Sequence, residues 1–407
     1  MAYVDNPALS ANNGILVHRI MVDGVAINAS PAEVKSIKVS LSINKHDQAV
    51  ITTKLTRGQA QEFLDKIIMF TYGPLVKRTT FYGYVSVVNP SRKYQEDMIY
   101  DIICLGVTQP MQTGVSRFWS NTTAPAIAGQ IVSEHNLGFI SDGHGFEWPT
   151  MAQTYESDWE MTVSLAALCG FVVCVNNGVI RFIDAAKVIQ TAAPIAHLVK
   201  GDQVLDTGRE LLDFVPSEES PALRKNVKPS FGFFSPTGEP VTTAEDEDST
   251  YRYNTSAVVL SQDMADVFLR SWERNTSYWV EKASARIKGN TQIATGDVVN
   301  ISLSRSSVVY NDYDGLWLVS EVNHTLTYNS FQTDLKLVRD KYNKPVNTTY
   351  KDFYSNVTYG RPRLLIDDSM GDKKWKSSWG TPIIRTTSLD DYPTSSSSST
   401  KPWVPVP

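Results

Sequence analysis

The sequence predicts a mainly β protein with a small α/β insertion: two strand-rich domains, each a barrel or a sandwich, flank the insertion, and an extended C-terminal arm follows. Two strand-rich stretches, residues 14–110 and 222–340, carry the alternation of apolar and polar residues that is the period of a half-buried strand. The stretch between them combines helix-start signals with a hairpin signal. Beyond residue 340 this periodicity fades, so the end of the chain is predicted to be an arm without a core of its own.

The first strand-rich domain spans residues 1–112. Within it Val39, Leu41 and Ile43 alternate with two serines, which places the three apolar side chains on one face of a strand. Long strands with one polar face and few helices between them are typical of a barrel or a sandwich. The other elements predicted here are a strand in residues 15–22, a short helix at Gln59–Lys66, strands at Ile67–Thr71, Thr79–Val88 and Met98–Val107, and a turn at Asn89–Ser91.

The predicted insertion, with its linker, spans residues 113–221. Thr123 precedes an Ala-Pro-Ala run, which favours a helix start because proline in the first turn needs no N–H partner. Ser157 and Glu160 have the spacing of a capping box, and the helix they open is predicted to stop at Gly170. Asn177-Gly178 lies between two apolar runs and predicts a tight hairpin, since both turn residues must accept a positive φ.

The second strand-rich domain spans residues 222–340, and the extended C-terminal arm spans residues 341–407. A helix is predicted at Gln262–Asn275, with Met264, Val267, Phe268 and Trp272 on one face. The arm contains several tryptophans, a run of five serines and a proline-rich end, a composition that predicts an extended or disordered segment. The predicted strands of the second strand-rich domain are Arg224–Phe234, Lys282–Lys288, Asp297–Ser304, Leu316–Asn323 and Phe331–Val338.

Composition narrows the classes of function. With 38 Lys and Arg against 43 Asp and Glu, the net charge is −5, which disfavours a role in binding or packaging nucleic acid. The three cysteines, Cys104, Cys169 and Cys174, fit neither a disulfide framework nor a zinc site, so buried thiols are predicted. The N-terminus does not resemble a signal peptide, and no apolar run approaches the roughly 20 residues of a membrane span. Synthesis in a cytoplasm and no stable membrane association are therefore expected.

Two segments resemble the late control protein D family of phages. Residues 157–184, SDWEMTVSLAALCGFVVCVNNGVIRFID, resemble the family's small α/β domain, in which a helix capped by Ser-Asp-Trp packs against a hairpin. Residues 288–339 resemble its second barrel: a Gly-Asp pair precedes a strand, a histidine ends the penultimate strand, and the closing strand reads Tyr-x-x-x-Gln-Thr-x-Leu. The resemblance covers residues 14–340 and leaves out the arm and the acidic loop 235–250.

That family comprises phage baseplate hubs and the VgrG spike proteins of type VI secretion. The resemblance implies two tail-tube-like β-barrels in one chain and a homotrimer that forms a pseudo-hexameric ring. Such a ring would join the tail tube or distal tail proteins to a spike or tip protein, line the DNA channel and bind DNA only as passing cargo. It implies a structural protein of the virion tail, made in the host cytoplasm, and not an enzyme. The C-terminal arm is expected to bind other baseplate subunits or an adjacent hub chain.

The strongest candidates for chemistry are two histidines and two carboxylates within 13 residues, His135, Asp142, His144 and Glu147. Such groups can bind a metal or form an acid–base pair, but their spacing matches no metalloenzyme signature, and three nearby glycines favour a polar surface loop. His324 is predicted to be a packed barrel residue and not a metal ligand. The acidic run Glu245–Asp248 lacks a calcium-loop pattern and is predicted to be solvated. We therefore predict no catalytic, cofactor-binding or metal-binding residues.

One alternative function stays open. A tail-associated cell-wall hydrolase or a carbohydrate-binding tip protein would use the tryptophan-rich arm, which is the candidate feature for either role. The chain contains no G-x-S-x-G or Walker sequence. A pair of catalytic carboxylates leaves no sequence signature, so the alternative is separated from a structural role only by experiment.

Overall fold

The computed structural model describes residues 19–27, 34–74, 78–94, 97–199, 211–218, 229–234, 240–242, 251–258, 263–264, 267, 271, 281–303, 313–327 and 330–339. Over these residues the protein is mainly β, as the sequence predicts. No helix in this part of the chain is both long enough and apolar enough to cross a membrane. Several predicted features lie outside the described residues, namely residues 14–18 and 224–228, the run Glu245–Asp248, Phe268, Trp272 and the C-terminal arm.

The first strand-rich part begins with a small hairpin and continues through longer strands and one short helix. Its helix begins at Arg57 and not at Gln59, because Thr56 and Gln59 form a capping box: the Gln59 N–H donates to Thr56 Oγ1 at 3.3 Å, and the Thr56 N–H donates to Gln59 Oε1 at 3.1 Å. The elements are β1 (Arg19–Val22), β2 (Val25–Ile27), β3 (Val34–Ser42), β4 (Gln48–Leu55), α1 (Arg57–Glu62), β5 (Ile67–Tyr72), β6 (Thr79–Tyr94) and β7 (Asp97–Gly106).

The predicted turn at Asn89–Ser91 is wrong. β6 runs through these residues to Tyr94 and pairs with β7 as far as Tyr94 opposite Asp97. The register shifts between Pro90 and Arg92, which marks a β-bulge. A bulge is a place where a sheet tolerates proline, since proline has no N–H to give to the ladder. Proline therefore interrupts the ladder locally without ending the strand.

The middle of the chain contains most of the helical structure. β8 pairs with β10, and β9, β11 and β12 form a three-stranded sheet in which β9 lies parallel to β12. The elements are a 3₁₀ helix (Gln109–Gln112), β8 (Gly114–Thr123), α2 (Ala124–Glu134), β9 (Gly138–Ser141), β10 (Glu147–Ser157), α3 (Asp158–Cys169), β11 (Val172–Asn176), β12 (Val179–Ile183), α4 (Ala185–Thr191), β13 (Ala196–Val199) and β14 (Leu211–Glu218).

The local signals predicted for this region are confirmed. Thr123 Oγ1 accepts the Ala126 N–H at 3.4 Å and caps α2. Ser157 and Glu160 form the predicted capping box at the start of α3, and Gly170 ends that helix with φ +70°. The hairpin of β11 and β12 turns at Asn177-Gly178, whose φ values of +48° and +79° are those that a type I′ turn requires.

The last described part supplies the remaining strands. The predicted helix is represented by four helical residues, of which Met264, Val267 and Ser271 are buried. Four of the five strands predicted in this part correspond closely to the observed β18–β21. The elements are β15 (Pro229–Phe234), β16 (Pro240–Thr242), β17 (Tyr251–Val258), β18 (Glu281–Lys288), β19 (Val298–Ser302), β20 (Gly315–Thr327) and β21 (Phe331–Arg339).

One sheet of 13 strands joins the two strand-rich parts. Its order is β14-β18-β21-β20-β3-β4-β7-β6-β5-β1-β2, and β19 pairs with β20 and with β13. The two parts meet where β3 lies antiparallel to β20, with Val39 opposite His324. β13 and β14 fall within the stretch predicted as insertion and linker, yet they pair with β19 and β18 of the second part.

Each strand-rich part nevertheless has a hydrophobic core of its own. The first core includes Ile51 and Phe70, and the second includes Trp317 and Leu337. Leu41 on β3 packs against both, at the junction of the two parts. A third core lies within the α/β region and includes the following large side chains: Trp148, Trp159, Leu165, Phe171 and Phe182.

All three cysteines are buried thiols, as the sequence predicts. Burial raises the pKa of Cys104 to about 12, because a thiolate would be poorly solvated in the first core. Burial likewise raises the pKa of Cys174 to about 12. A cysteine thiol held in its neutral form is a weak nucleophile and a weak metal ligand, so both residues act as small apolar core residues.

Candidate assembly surfaces

The structure separates the four residues that were the candidates for chemistry. His135, at the end of α2, places its Nε2 2.8 Å from Asp158 Oδ2. Asp158 is buried and also accepts hydrogen bonds from Arg117 at 3.0 Å and from the Gln153 amide at 2.9 Å. The carboxylate therefore ties α2, β8 and β10 to the first turn of α3, which is a structural role.

The other three candidates lie in different surroundings. Asp142 pairs with Lys187 Nζ at 2.9 Å, and Glu147 is exposed at the start of β10. The predicted polar surface loop is wrong for His144, which is buried with its ring edge-on to Phe171, because α3 and β11 bring the third core against it. Among the described residues no group of His, Cys, Asp and Glu has the arrangement of a metal site.

The α/β region is fixed to the large sheet by directional contacts. Asn44, in the turn after β3, adopts a left-handed φ of +59°. Its Oδ1 accepts the Val173 N–H at 2.8 Å, and its own N–H donates to the Val173 carbonyl at 2.8 Å. Arg181 on β12 pairs with Asp297 at 3.1 Å. These contacts connect the hairpin of β11 and β12 to both strand-rich parts.

The outer side of β5 and β6 exposes three neighbouring apolar side chains. Ile67, Met69 and Tyr82 are 38%, 36% and 43% exposed, and Met69 lies directly opposite both Met21 and Tyr82 in the sheet. We call Ile67, Met69 and Tyr82 the β5–β6 apolar face. Contiguous apolar surface of this kind is typical of a region covered by another protein.

The main path of the 13-stranded sheet ends at β14 and at β2. Among the described strands, β14 pairs with β18 alone and β2 with β1 alone. Leu212 and Val215 on β14 are 49% and 55% exposed. An apolar strand at the end of a sheet presents backbone donors and acceptors that favour pairing with a further strand.

A cleft of about 910 Å³ opens between β5 and β6, the hairpin of β11 and β12, and residues 291–294. We call it the Asp47 cleft, because Asp47 lines it and its Oδ1 has no hydrogen-bond partner among the described residues. Burial raises the pKa of Asp47 well above its ordinary value. Burial, and then the nearby Asp47 charge, raise the pKa of Tyr72, which also lines the cleft.

The last described strand ends in a buried ion pair. Arg339 Nε and Nη2 donate to the two Glu281 carboxylate oxygens at 2.8 and 3.2 Å, and both side chains are fully buried. Arg339 Nη1 donates to the Asp314 carbonyl at 2.9 Å, and the guanidinium carbon lies 4.0 Å from the Trp317 ring centroid. The end of β21 is thus fixed in the second core.

No family model and no curated protein sequence matches this chain, but solved structures match it by fold. A tail protein from Neisseria meningitidis MC58 matches with a TM-score of 0.57 at 10% identity, covering 80% of this chain and 97% of that one. The 43 kDa tail protein of prophage MuSo2 from Shewanella oneidensis matches with a TM-score of 0.56 at 14% identity, covering 80% and 98%. The protein has the phage tail-protein fold.

A third match extends this tail-protein fold to type VI secretion. An E. coli component of that system, which exhibits structural similarity to the T4 bacteriophage tail proteins gp27 and gp5, matches with a TM-score of 0.52 at 10% identity. It covers 79% of this chain and 77% of that one. These neighbours match the predicted resemblance to a family of baseplate hubs and type VI secretion spike proteins.

Sequence reasoning missed the surfaces that the tail-protein fold creates. Asp47 follows a predicted strand in a short polar run and carries no motif. The residues that line the cleft with it, such as Val175 and Ile293, are far away in the chain. A partial signal existed for the β5–β6 apolar face, since β5 carries apolar residues at consecutive positions, whereas a half-buried strand alternates.

Proposed function

We propose that this protein is a structural hub of a phage tail baseplate or tail tip, without catalytic activity of its own. Three copies would form a pseudo-hexameric ring that joins the tail tube to the distal spike or tip and lines the DNA channel. In this proposal residues 1–112 and 222–340 are two tube-like barrels, residues 113–221 the insertion with its linker, and residues 341–407 an arm toward other baseplate subunits.

The observation that carries the proposal is the fold, which two phage tail proteins share over nearly their whole length. Two internal features support the ring. Each strand-rich part has its own core, and the two are joined through β3 and β20, so one chain can supply two similar wall segments. Three such chains would supply six, which suits a junction between a sixfold tube and a threefold tip.

The β5–β6 apolar face and the exposed ends of the sheet support association with further chains. A head-to-tail contact between different surfaces closes into a ring when the rotation allows it. An apolar outer face would then be buried between neighbours and would not remain in water. The net charge of −5 gives the chain no general attraction for DNA. This suits a protein that lines a channel through which DNA passes without being bound.

Mass measurement and negative-stain imaging of the purified protein test the proposal. We expect a mass of three chains and a three- or six-lobed ring. Met69→Asp should convert the ring to single chains while leaving the fold intact, because it places a charge in the β5–β6 apolar face. Ser164→Asp, on the exposed side of α3, is the matched control and should leave the ring unchanged. Six copies in the assembled tail, or a stable monomer, would refute the proposal.

A cell-wall zymogram addresses the alternative roles. The alternative features lie in the arm, outside the described residues, and nothing in the described part favours a hydrolase. We expect no clearing with the purified full-length protein. Clearing that survives repurification would replace the structural proposal with the enzymatic one.

A further inference from the structure

We propose that the Asp47 cleft binds residues 371–380 of this protein's own C-terminal arm, with a lysine ammonium group of that segment paired to the Asp47 carboxylate. The pairing would give the arm a defined docking place and goes beyond the hub role. The docking can be tested on the purified protein, and the result does not depend on whether the protein assembles into a tail.

The cleft favours a positively charged group. Asp47 is 8% exposed, and its Oδ1 has no hydrogen-bond partner among the described residues. A buried carboxylate without a partner is strongly unfavourable, so it either takes up a proton or attracts a cation. The cleft is open on one side, which leaves a path for such a cation to arrive from outside the described residues.

A metal ion is a poor candidate for this cation. Calcium needs six to eight oxygen ligands, and magnesium a nearly octahedral set. Asp47 is the one carboxylate of the lining, and the other polar groups are mostly neutral hydroxyls and amides, such as Thr80, Asn176 and Gln292. The remaining charged lining residue, Arg78, is exposed and cannot act as a metal ligand. A single organic cation fits these ligands better.

The walls of the cleft add a requirement for apolar and aromatic groups. Tyr72, Phe81, Tyr82, Val175 and Ile293 all contribute to the lining. A volume of about 910 Å³ is far more than one lysine side chain fills and is within the usual size of a ligand pocket. The occupant that these properties describe is a short peptide that carries lysine beside an aromatic residue.

The C-terminal arm contains such a peptide. Residues 371–380 read GDKKWKSSWG, with three lysines within four residues and two tryptophans. The segment begins 32 residues after Arg339, the last residue of β21. A flexible chain of that length has a root-mean-square span of about 30 Å, which is comparable with the width of a domain. The arm is therefore long enough to return to the cleft.

Limited trypsin digestion of the full-length protein tests this docking. Cleavage after Lys373, Lys374 and Lys376 is measured by mass spectrometry and compared with cleavage after Lys351 and Arg385 in the same arm. In the native protein we expect the three clustered sites to be cleaved about tenfold or more slowly, since a partly buried charge pair contributes at least that factor. Asp47→Asn should remove the protection, and Asp23→Asn, an equal change of net charge at a surface pair, should keep it.

A second variant keeps the test decisive if Asp47→Asn fails to fold. In Lys373→Gln/Lys374→Gln/Lys376→Gln the described part of the protein is untouched, and cleavage by chymotrypsin after Trp375 and Trp379 replaces the trypsin readout. We expect protection of both tryptophans in the native protein and its loss in the triple variant. Equal cleavage of all arm sites in the native protein, or protection that persists without the lysines, would overturn the docking.

Discussion

Gly178 is a residue at which backbone conformation alone can be tested. Its φ is +79°, and a Cβ atom built there would meet nothing within 4 Å. Gly178→Val should therefore destabilise the protein by about 1–3 kcal/mol through backbone strain, without a steric clash. Gly143→Val is the matched control, since its surroundings are equally open and its φ lies outside the left-handed region. Thermal melts that shift equally for both variants would contradict the hairpin geometry.

His324 gives the protein a predictable dependence on pH. It is buried between the rings of Tyr72 and Phe331, its Nδ1 lies 2.9 Å from Thr333 Oγ1, and burial lowers its pKa to about 4. The unfolded chain, in which the histidine titrates near 6.5, takes up a proton that the folded protein resists. Stability from this site is therefore complete above about pH 6.5 and falls as the pH drops toward 4, by up to about 3 kcal/mol.

The comparison with His324→Gln isolates this effect. Glutamine can still hydrogen-bond to Thr333 but does not titrate. Urea unfolding at pH 7.5 and pH 4.5 should show that the native protein loses more stability than the variant on acidification. A difference between the two proteins that is the same at both pH values would show that His324 is not the titrating group.

At the residue scale, the sequence predicted the features that depend only on residues close by in the chain. The Ser157–Glu160 capping box and the Asn177-Gly178 turn are satisfied within a few residues, so their signals were sufficient. Asp47 and His144 were not predicted as buried, because the atoms that bury them come from distant elements. The alternation of apolar and polar residues within a short stretch of sequence carries no information about such contacts.

At the scale of elements, β18 and β21 contain two cross-strand ion pairs that differ chiefly in burial. Glu281 lies opposite Arg339 and Arg286 opposite Asp334. The first pair is fully buried, whereas the side chains of the second are 53% and 40% exposed. Glu281→Gln should cost about 3–5 kcal/mol, because it leaves the Arg339 charge buried without a counter-charge. Asp334→Asn should cost less than about 1 kcal/mol, because solvent screens the exposed pair.

Denaturant unfolding of the two variants measures this contrast. Both substitutions remove one carboxylate charge and keep the shape of the side chain. Similar losses of stability in the two variants would mean that Arg339 is not shielded from solvent. The Glu281 variant should also loosen the departure point of the arm, which faster proteolysis after Lys341 would report.

The sequence predicted the existence of strands better than their partners. Alternation placed β3, β18 and β21 close to their observed positions. It could not predict that β3 pairs with β20, some 280 residues later, or that β13 and β14 join the large sheet. Pairing depends on tertiary contacts, and Pro90 was read as a turn because its bulge is visible only once β7 is opposite.

At the scale of the whole molecule, the continuous ladder through β3 and β20 is the feature that matters for a hub. A load applied to one strand-rich part is transmitted to the other through backbone hydrogen bonds and through Leu41, which both cores share. The contacts of Asn44 and Arg181 fix the α/β region to the same frame. A ring of such chains would move as a rigid body.

The arm is expected to connect that ring to its next component. Truncation after Asp340 should leave the described strands folded and the ring intact, because the described partners of Arg339, namely Glu281, Asp314 and Trp317, all lie before the truncation point. It should abolish incorporation of the neighbouring tail component, since the arm carries the apolar and aromatic residues that can order on a partner. Deletion of the serine run 395–399 alone is the control and should have a much smaller effect.

Three measurements check this prediction. The melting temperature reports folding, the mass in solution reports the oligomeric state, and complementation reports whether complete tails assemble. The truncated protein should melt within a few degrees of the native one and keep its oligomeric mass, yet yield no complete tails. Complete, infective tails from the truncated protein would exclude a connecting role for the arm. A truncated protein that does not fold would show instead that part of residues 341–407 packs into the cores, because a segment needed for folding must bury apolar surface there.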